Sequence, residues 1–181
     1  MLKTKIFQNQ KANFRMKNNS AIKNIPCIIL AGGMGTRLSE ETLNKPKPMV
    51  EIGGFPIIWH IMKNYSAYGV NKFYICGGYK HNFIKDFFLN YKKYNNDLTI
   101  DLSKTKIKYL NSKDDKWKVS IIDTGLKSMT GGRLLRLKEY LKNYEDFFFT
   151  YGDGLSNINI SELFKFHKKN KKIATLTSVY P

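Results

Sequence analysis

"PCIILAGGMGTRL" (residues 26–38) is an apolar run that breaks into three closely spaced glycines and then presents an arginine. Apolar residues without polar interruption, ended by glycine, read as a strand buried on both faces. Glycines at 32, 33 and 35 let backbone N–H groups turn inward with no Cβ in the way, and Arg37 adds a forked, permanent charge. Such a loop is either a plain turn or a nest for an anion. Two common glycine fingerprints are excluded: a dinucleotide G-x-G-x-x-G would need glycine at Leu38, and no G-K-[ST] of a Walker loop is present.

The rest of the chain alternates the same kinds of pattern. "FPIIWHIMKNYSAYG" (55–69) carries Ile57, Ile58, Ile61, Met62, Tyr65 and Tyr68 at helical spacing, with Pro56 suited to a first turn. "KFYIC" (72–76) reads as a strand, "HNFIKDFFLN" (81–90) as a helix, and "KVSIID" (118–123) as a further strand. Residues 91–116 are polar and irregular, with short edge strands expected near 98–102 and 107–110. "GGRLLRLKEYLK" (131–142) predicts one helix with Leu134, Leu137 and Leu141 inward; "DFFFTYGDG" (146–154) predicts a strand stopped by a turn. "NISELFKFHKK" (159–169) stacks Ile160, Leu163, Phe164 and His167 on one face, and "KKIATLTSVY" (171–180) predicts a last strand. Strand–helix alternation of this kind predicts an α/β domain with a doubly wound, mostly parallel sheet and a site at the carboxyl ends of its strands.

The chain has 181 residues, 42% of them hydrophobic, which suits one domain with one sizeable core. Residues 1–24 hold six basic side chains and no acid, and are expected to be a flexible polar leader ahead of a nucleotide-binding part at 25–181. The formal charge of +17 attracts any polyanion, but the lysines form no stripe with interleaved stacking aromatics, so a specific nucleic-acid partner is not expected. No run is long enough to cross a bilayer. Cys27 and Cys76 lie in or beside strand-like runs and read as buried thiols, which fits a cytoplasmic protein. His60, His81 and His167 share no ligand spacing and read as structural.

Three further segments could carry chemistry. In "SEETLNKPKPMVEIGG" (39–54) the prolines hold the backbone extended and place Lys45 and Lys47 on one side, as a stiff mount for cations or as a solvated linker. Asp153, between Gly152 and Gly154 after a phenylalanine run, sits at a strand tip; it is a turn residue or a magnesium ligand. "IIDTGLKSMTGGR" (121–133) offers hydroxyls and Arg133 ahead of a helix, as a loop or as a reader of base and ribose.

Residues 29–66, 123–142, 147–169 and "ATLT" (174–177), taken in that order, resemble the sugar-1-phosphate nucleotidyltransferases. "SEET", "EIGG", "WHIM", "SMTGGR" and "TYGDG" resemble the cytidylyltransferase branch. The resemblance implies a Rossmann-like fold, CTP and glucose 1-phosphate as partners, Mg²⁺ as cofactor, and CDP-glucose and pyrophosphate as products. It implies that Leu30, Ala31, Gly32, Gly33, Gly35, Thr36 and Arg37 cradle the triphosphate, that Lys47 neutralises the reacting phosphate, and that Asp153 is one metal ligand. Ser128 and Arg133 are implied to hold CTP, Gly152 to touch the nucleoside, and Arg37, Lys47 and Asp153 to form the catalytic set. The same fold with UTP or dTTP, a silent nucleotide-binding fragment, and a partner subunit are the alternatives. The resemblance implies that the family continues well past the position of Pro181, with a second acidic ligand, further sugar-phosphate contacts including a lysine, and subunit contacts of a homo-oligomer, so residues 1–181 alone are expected to be weak or inactive as a transferase.

Overall fold

A computed structural model describes residues 22–34, 44–110 and 115–178. The expected leader therefore lies outside the described residues up to position 21. Ile22, inside that segment, is already fully buried in the main core and belongs to the folded body.

The central strand is β1 (Cys27–Ala31), buried at all five positions. It pairs in parallel with β4 (Lys72–Gly77) on one side and β8 (Phe148–Tyr151) on the other, and β4 pairs in parallel with β7 (Lys118–Asp123). The resulting order is β7-β4-β1-β8. Two small antiparallel pairs, β2 (Glu51–Ile52) with β3 (Phe55–Pro56) and β5 (Asp97–Asp101) with β6 (Lys106–Leu110), stand apart from this sheet.

Period two decides which residues meet which layer. Cys27, Ile29 and Ala31 of β1, with Phe73 and Ile75 of β4, enter a core shared with α1 (Ile57–Ala67), α2 (Asn82–Leu89) and α6 (Ile160–Asn170) through Ile58, Ile61, Met62, Ile84 and Ile160. Ile28, Leu30 and Cys76 point the other way, onto Leu137 and Leu141. Helical layers thus cover both faces, as the alternation predicts. A short helix α3 (Tyr91–Asn95) leads into the β5–β6 hairpin.

Three expectations are corrected. The helix over 131–142 is two pieces, α4 (Thr130–Leu135) and α5 (Lys138–Leu141). The ladder tightens where they join: Leu137 N–H donates to Leu134 O at 3.0 Å and Tyr140 N–H to Leu137 O at 2.9 Å, and Leu137 turns fully into the sheet. Residues 172–178, expected within a last strand, pair with no described strand, and their large apolar residues Ile173 and Leu176 stand in solvent, on no buried face. The Lys-Pro segment is a 3-10 turn, Lys47–Met49, not an extended mount; Met49 N–H donates to Pro46 O at 2.8 Å.

The chain moves from β1 out to β4 and β7, then returns to β8 on the opposite side of β1. The crevice between the carboxyl ends of β1 and β8 is therefore the topological switch point of the sheet.

Candidate functional site

The loop leaving β1 and the turn leaving β8 open onto one cleft of about 560 Å³, lined by Leu30, Ala31, Gly32, Gly33, Lys47, Pro48, Ser128, Met129, Thr130, Arg133, Tyr151 and Asp153. Lys47 Nζ donates to Asp153 Oδ2 at 2.6 Å, joining segments 106 residues apart. Each side chain keeps 32% of its surface in solvent. Lys45 does not share this role: its ammonium pairs with Glu51 at 3.1 Å, so the two lysines part company at the 3-10 turn.

Gly152 is buried and explains how the pair meets. Its N–H donates to Leu30 O at 2.8 Å, and an added Cβ would lie 2.9 Å from Leu30 O and 2.9 Å from Pro48 Cγ. Only glycine lets the β8 turn close on β1 and on the Lys47 turn. Arg133, expected beside the nucleotide, is on the cleft floor with 5% exposure. Its guanidinium donates to Gly77 O at 3.0 Å, Thr124 Oγ1 at 2.7 Å, Gly32 O at 2.9 Å and Leu126 O at 3.3 Å. Burial pulls its pKa downward, opposed by Cys76 and Asp123. Ser128 lies at the edge of the same cleft, just ahead of α4. Gly35, Thr36 and Arg37 lie outside the described residues.

Pro48, Met129, Thr130 and Tyr151 also line the cleft and were not singled out by the sequence. Tyr151 had a signal, as the last residue of a strand running into Gly-Asp-Gly. The histidines bear structural bonds: His60 Nε2 to Ile52 O at 2.8 Å, His81 Nδ1 to Gly78 O at 2.9 Å, and His167 Nδ1 to Thr175 Oγ1 at 2.8 Å. Both cysteines are free and buried. No described helix is long and apolar enough to cross a membrane.

A switch-point cleft with backbone glycines, one ammonium and one carboxylate suits a phosphate-bearing ligand, and defines the class as α/β nucleotide-handling proteins. The chain belongs to the nucleotidyl transferase family, whose profile matches residues 26–181. It is 52% identical over 154 residues to the glucose-1-phosphate cytidylyltransferase of Salmonella typhimurium, covering 85% of this chain and 60% of that protein. Against the probable glucose-1-phosphate cytidylyltransferase of Bacillus subtilis it is 45% identical over 152 residues, covering 84% and 59%. The chain thus spans about three-fifths of the length of these curated relatives. Among solved structures, HddC from Yersinia pseudotuberculosis complexed with GMP-PN aligns with a TM-score of 0.59 at 23% identity, over 79% of this chain and 54% of that one. UDP-glucose pyrophosphorylase complexed with UDP-glucose aligns at 0.57 and 19%, over 81% and 54%. At these identities the likeness concerns the fold.

Proposed function

We propose that this chain carries the nucleotide-binding part of a glucose-1-phosphate cytidylyltransferase, which joins CTP to α-D-glucose 1-phosphate and releases pyrophosphate. The observation that carries the reading is the meeting of Lys47 and Asp153 at 2.6 Å in the β1–β8 cleft. The relatives at 52% and 45% identity support the choice of cytosine nucleotide and of glucose 1-phosphate.

A sugar phosphate is already an anionic nucleophile at neutral pH, so no general base is required. Its oxygen attacks the α-phosphorus of CTP in line; the new P–O bond forms as the bond to the β-phosphate oxygen breaks, and pyrophosphate leaves with the electron pair. The difficulty is bringing two anions together, which calls for positioning and positive charge. Gly32 and Gly33, with Gly35 to Arg37 beyond them, hold the triphosphate; Lys47 faces the reacting phosphate; Ser128 lies toward the nucleoside.

The donor set fits a magnesium ion delivered with its nucleotide. Asp153 presents one partly exposed carboxylate to the cleft, and no group of three or more His, Cys, Asp or Glu is placed to cage a metal among the described residues. Magnesium keeps waters and phosphate oxygens around one or two carboxylates, and when bound it offsets charge on the triphosphate. Asp153 would hold it. Substrates of this kind place the reaction in the cytoplasm.

Calorimetric titration with CTP, UTP, dTTP, ATP and GTP in the presence of Mg²⁺ tests the nucleotide, and pyrophosphate release with glucose 1-phosphate tests the reaction. CTP is expected to bind at least about tenfold more tightly than the others, a difference of about 1.4 kcal/mol. Tighter binding of another base overturns the cytidylyl assignment.

A further inference from the structure

We propose that Arg133 is the positioning residue of the cleft: it locks together the loops that follow three neighbouring strands, and acts through their backbone and not by touching the ligand. The proposal builds on the reading of the cleft as a nucleotide site, but the clasp can be tested without a nucleotide.

Arg133 reaches Gly32 O after β1, Gly77 O at the end of β4, and Thr124 Oγ1 and Leu126 O after β7. A guanidinium has five N–H donors. Four contacts occupy its two terminal nitrogens, leaving only the Nε hydrogen for anything else.

The acceptors are tied to one another as well. Gly77 O accepts from Thr124 N–H at 3.0 Å and from the Thr124 hydroxyl at 2.6 Å, and that hydroxyl accepts in turn from Arg133. Gly32 O also accepts from Tyr79 N–H at 3.2 Å. Every partner of the guanidinium is a neutral oxygen, so its charge is not cancelled by a contacting carboxylate. A buried cation of this kind persists only where its hydrogen bonds are made in full.

Two glycines are explained by the same clasp. A Cβ on Gly32 would collide with the Arg133 guanidinium, and one on Gly78 would sit 2.6 Å from Arg133 Nη1 and 2.6 Å from Gly32 O. Neither site can take a side chain without expelling the guanidinium or moving the Gly32 backbone. The first turn of the loop that faces the ligand is thus held from behind, by a residue on α4.

Amide hydrogen exchange on the nucleotide-free chain tests this, because local opening is read bond by bond. In Arg133→Gln, the Tyr79 and Thr124 amides are expected to exchange at least about tenfold faster while Ile29 and Ile75, inside the sheet, keep their rates. MgCTP binding, measured on the same sample, is expected to weaken by about tenfold or more. If Arg133→Gln does not fold, Arg133→Lys reads the same amides, since lysine keeps the charge and loses the fork. Full protection in the lysine variant would overturn the clasp. Unchanged amides with weakened MgCTP binding would make Arg133 a direct ligand, and unchanged amides with unchanged binding would give it no role; both overturn the proposal. Faster exchange at Ile29 and Ile75 as well would reduce it to general fold support and overturn it too. If the unaltered chain binds no CTP while the Tyr79 and Thr124 amides respond, the clasp stands and the nucleotide assignment fails.

Discussion

Lys47 and Asp153 form an ion pair that is too exposed to stabilise the fold much, since each keeps 32% of its side chain in water. Pairs of this kind contribute about 0.2–1 kcal/mol. Asp153→Ala is therefore expected to cost less than about 1 kcal/mol in urea unfolding. In CTP titrations it should abolish the gain in affinity that Mg²⁺ provides, and a retained Mg²⁺ dependence would remove Asp153 from the metal site. The thiols behave in the opposite way, being fully buried. Burial pushes Cys76 up from 9.0 to about 11, with Arg133 opposing, and pushes Cys27 upward too. A raised folded pKa gives stability that is complete below the unfolded value and is lost as pH rises through the folded one. Thermal unfolding followed from pH 9 to pH 11 should show a smaller loss of stability in Cys76→Ala than in the parent chain. Lys47 and Asp153 were legible in the sequence because proline and glycine neighbours mark strand ends and turns. The burial of Arg133 was not, because an arginine after two glycines before a helix looks the same whether its fork faces a ligand or three carbonyls.

At the level of elements, β1 is a two-sided wall whose alternate residues feed two cores, and each core depends on the helix laid against it. The second core is small and rests on Leu137, which is wholly buried against Ile28, Leu30 and Cys76. Leu137→Ala is expected to cost about 2–5 kcal/mol in urea unfolding, since a void there has few neighbours able to close it. A cost below about 1 kcal/mol would show that the α4–α5 junction is not a structural support of this core. The long periodic elements could be read directly: β1, β4, β7, α1, α2 and α6 fall within a residue or two of their expected positions. The break between α4 and α5 could not, because apolar spacing continues through it while Leu137 and Arg133 are pulled to different places. The expected last strand failed for a related reason. The β-branched residues Ile173, Thr175 and Thr177 suit a strand, but the ladder partner that makes a segment one is not written in the segment itself.

For the whole molecule, the charge of +17 and the cleft predict two kinds of anion binding with different salt behaviour. Scattered lysines bind duplex DNA by releasing its counterions, so that affinity should fall steeply, by orders of magnitude, between about 50 and 200 mM salt. A nucleotide held by Lys47, backbone N–H groups and a metal on Asp153 engages fewer charges within a cleft, and its binding should weaken far less over the same range. The open side of the sheet adds a second whole-molecule feature. β8 is a terminal strand in the order, and Tyr151 at its end and Leu176 beyond α6 are 57% and 91% exposed. Exposed apolar side chains, and a strand edge unpaired among the described residues, favour association, which raises apparent DNA retention through avidity. The experiment is therefore run on monodisperse protein, comparing MgCTP titration with a DNA gel shift for the parent chain and for Asp153→Ala. DNA retention should be equal in the two proteins and vanish with salt, while MgCTP binding should survive salt in the parent and fail in the variant. If both ligands vanish together with salt and Asp153→Ala changes neither, the cleft has no preference beyond charge and the nucleotide assignment falls.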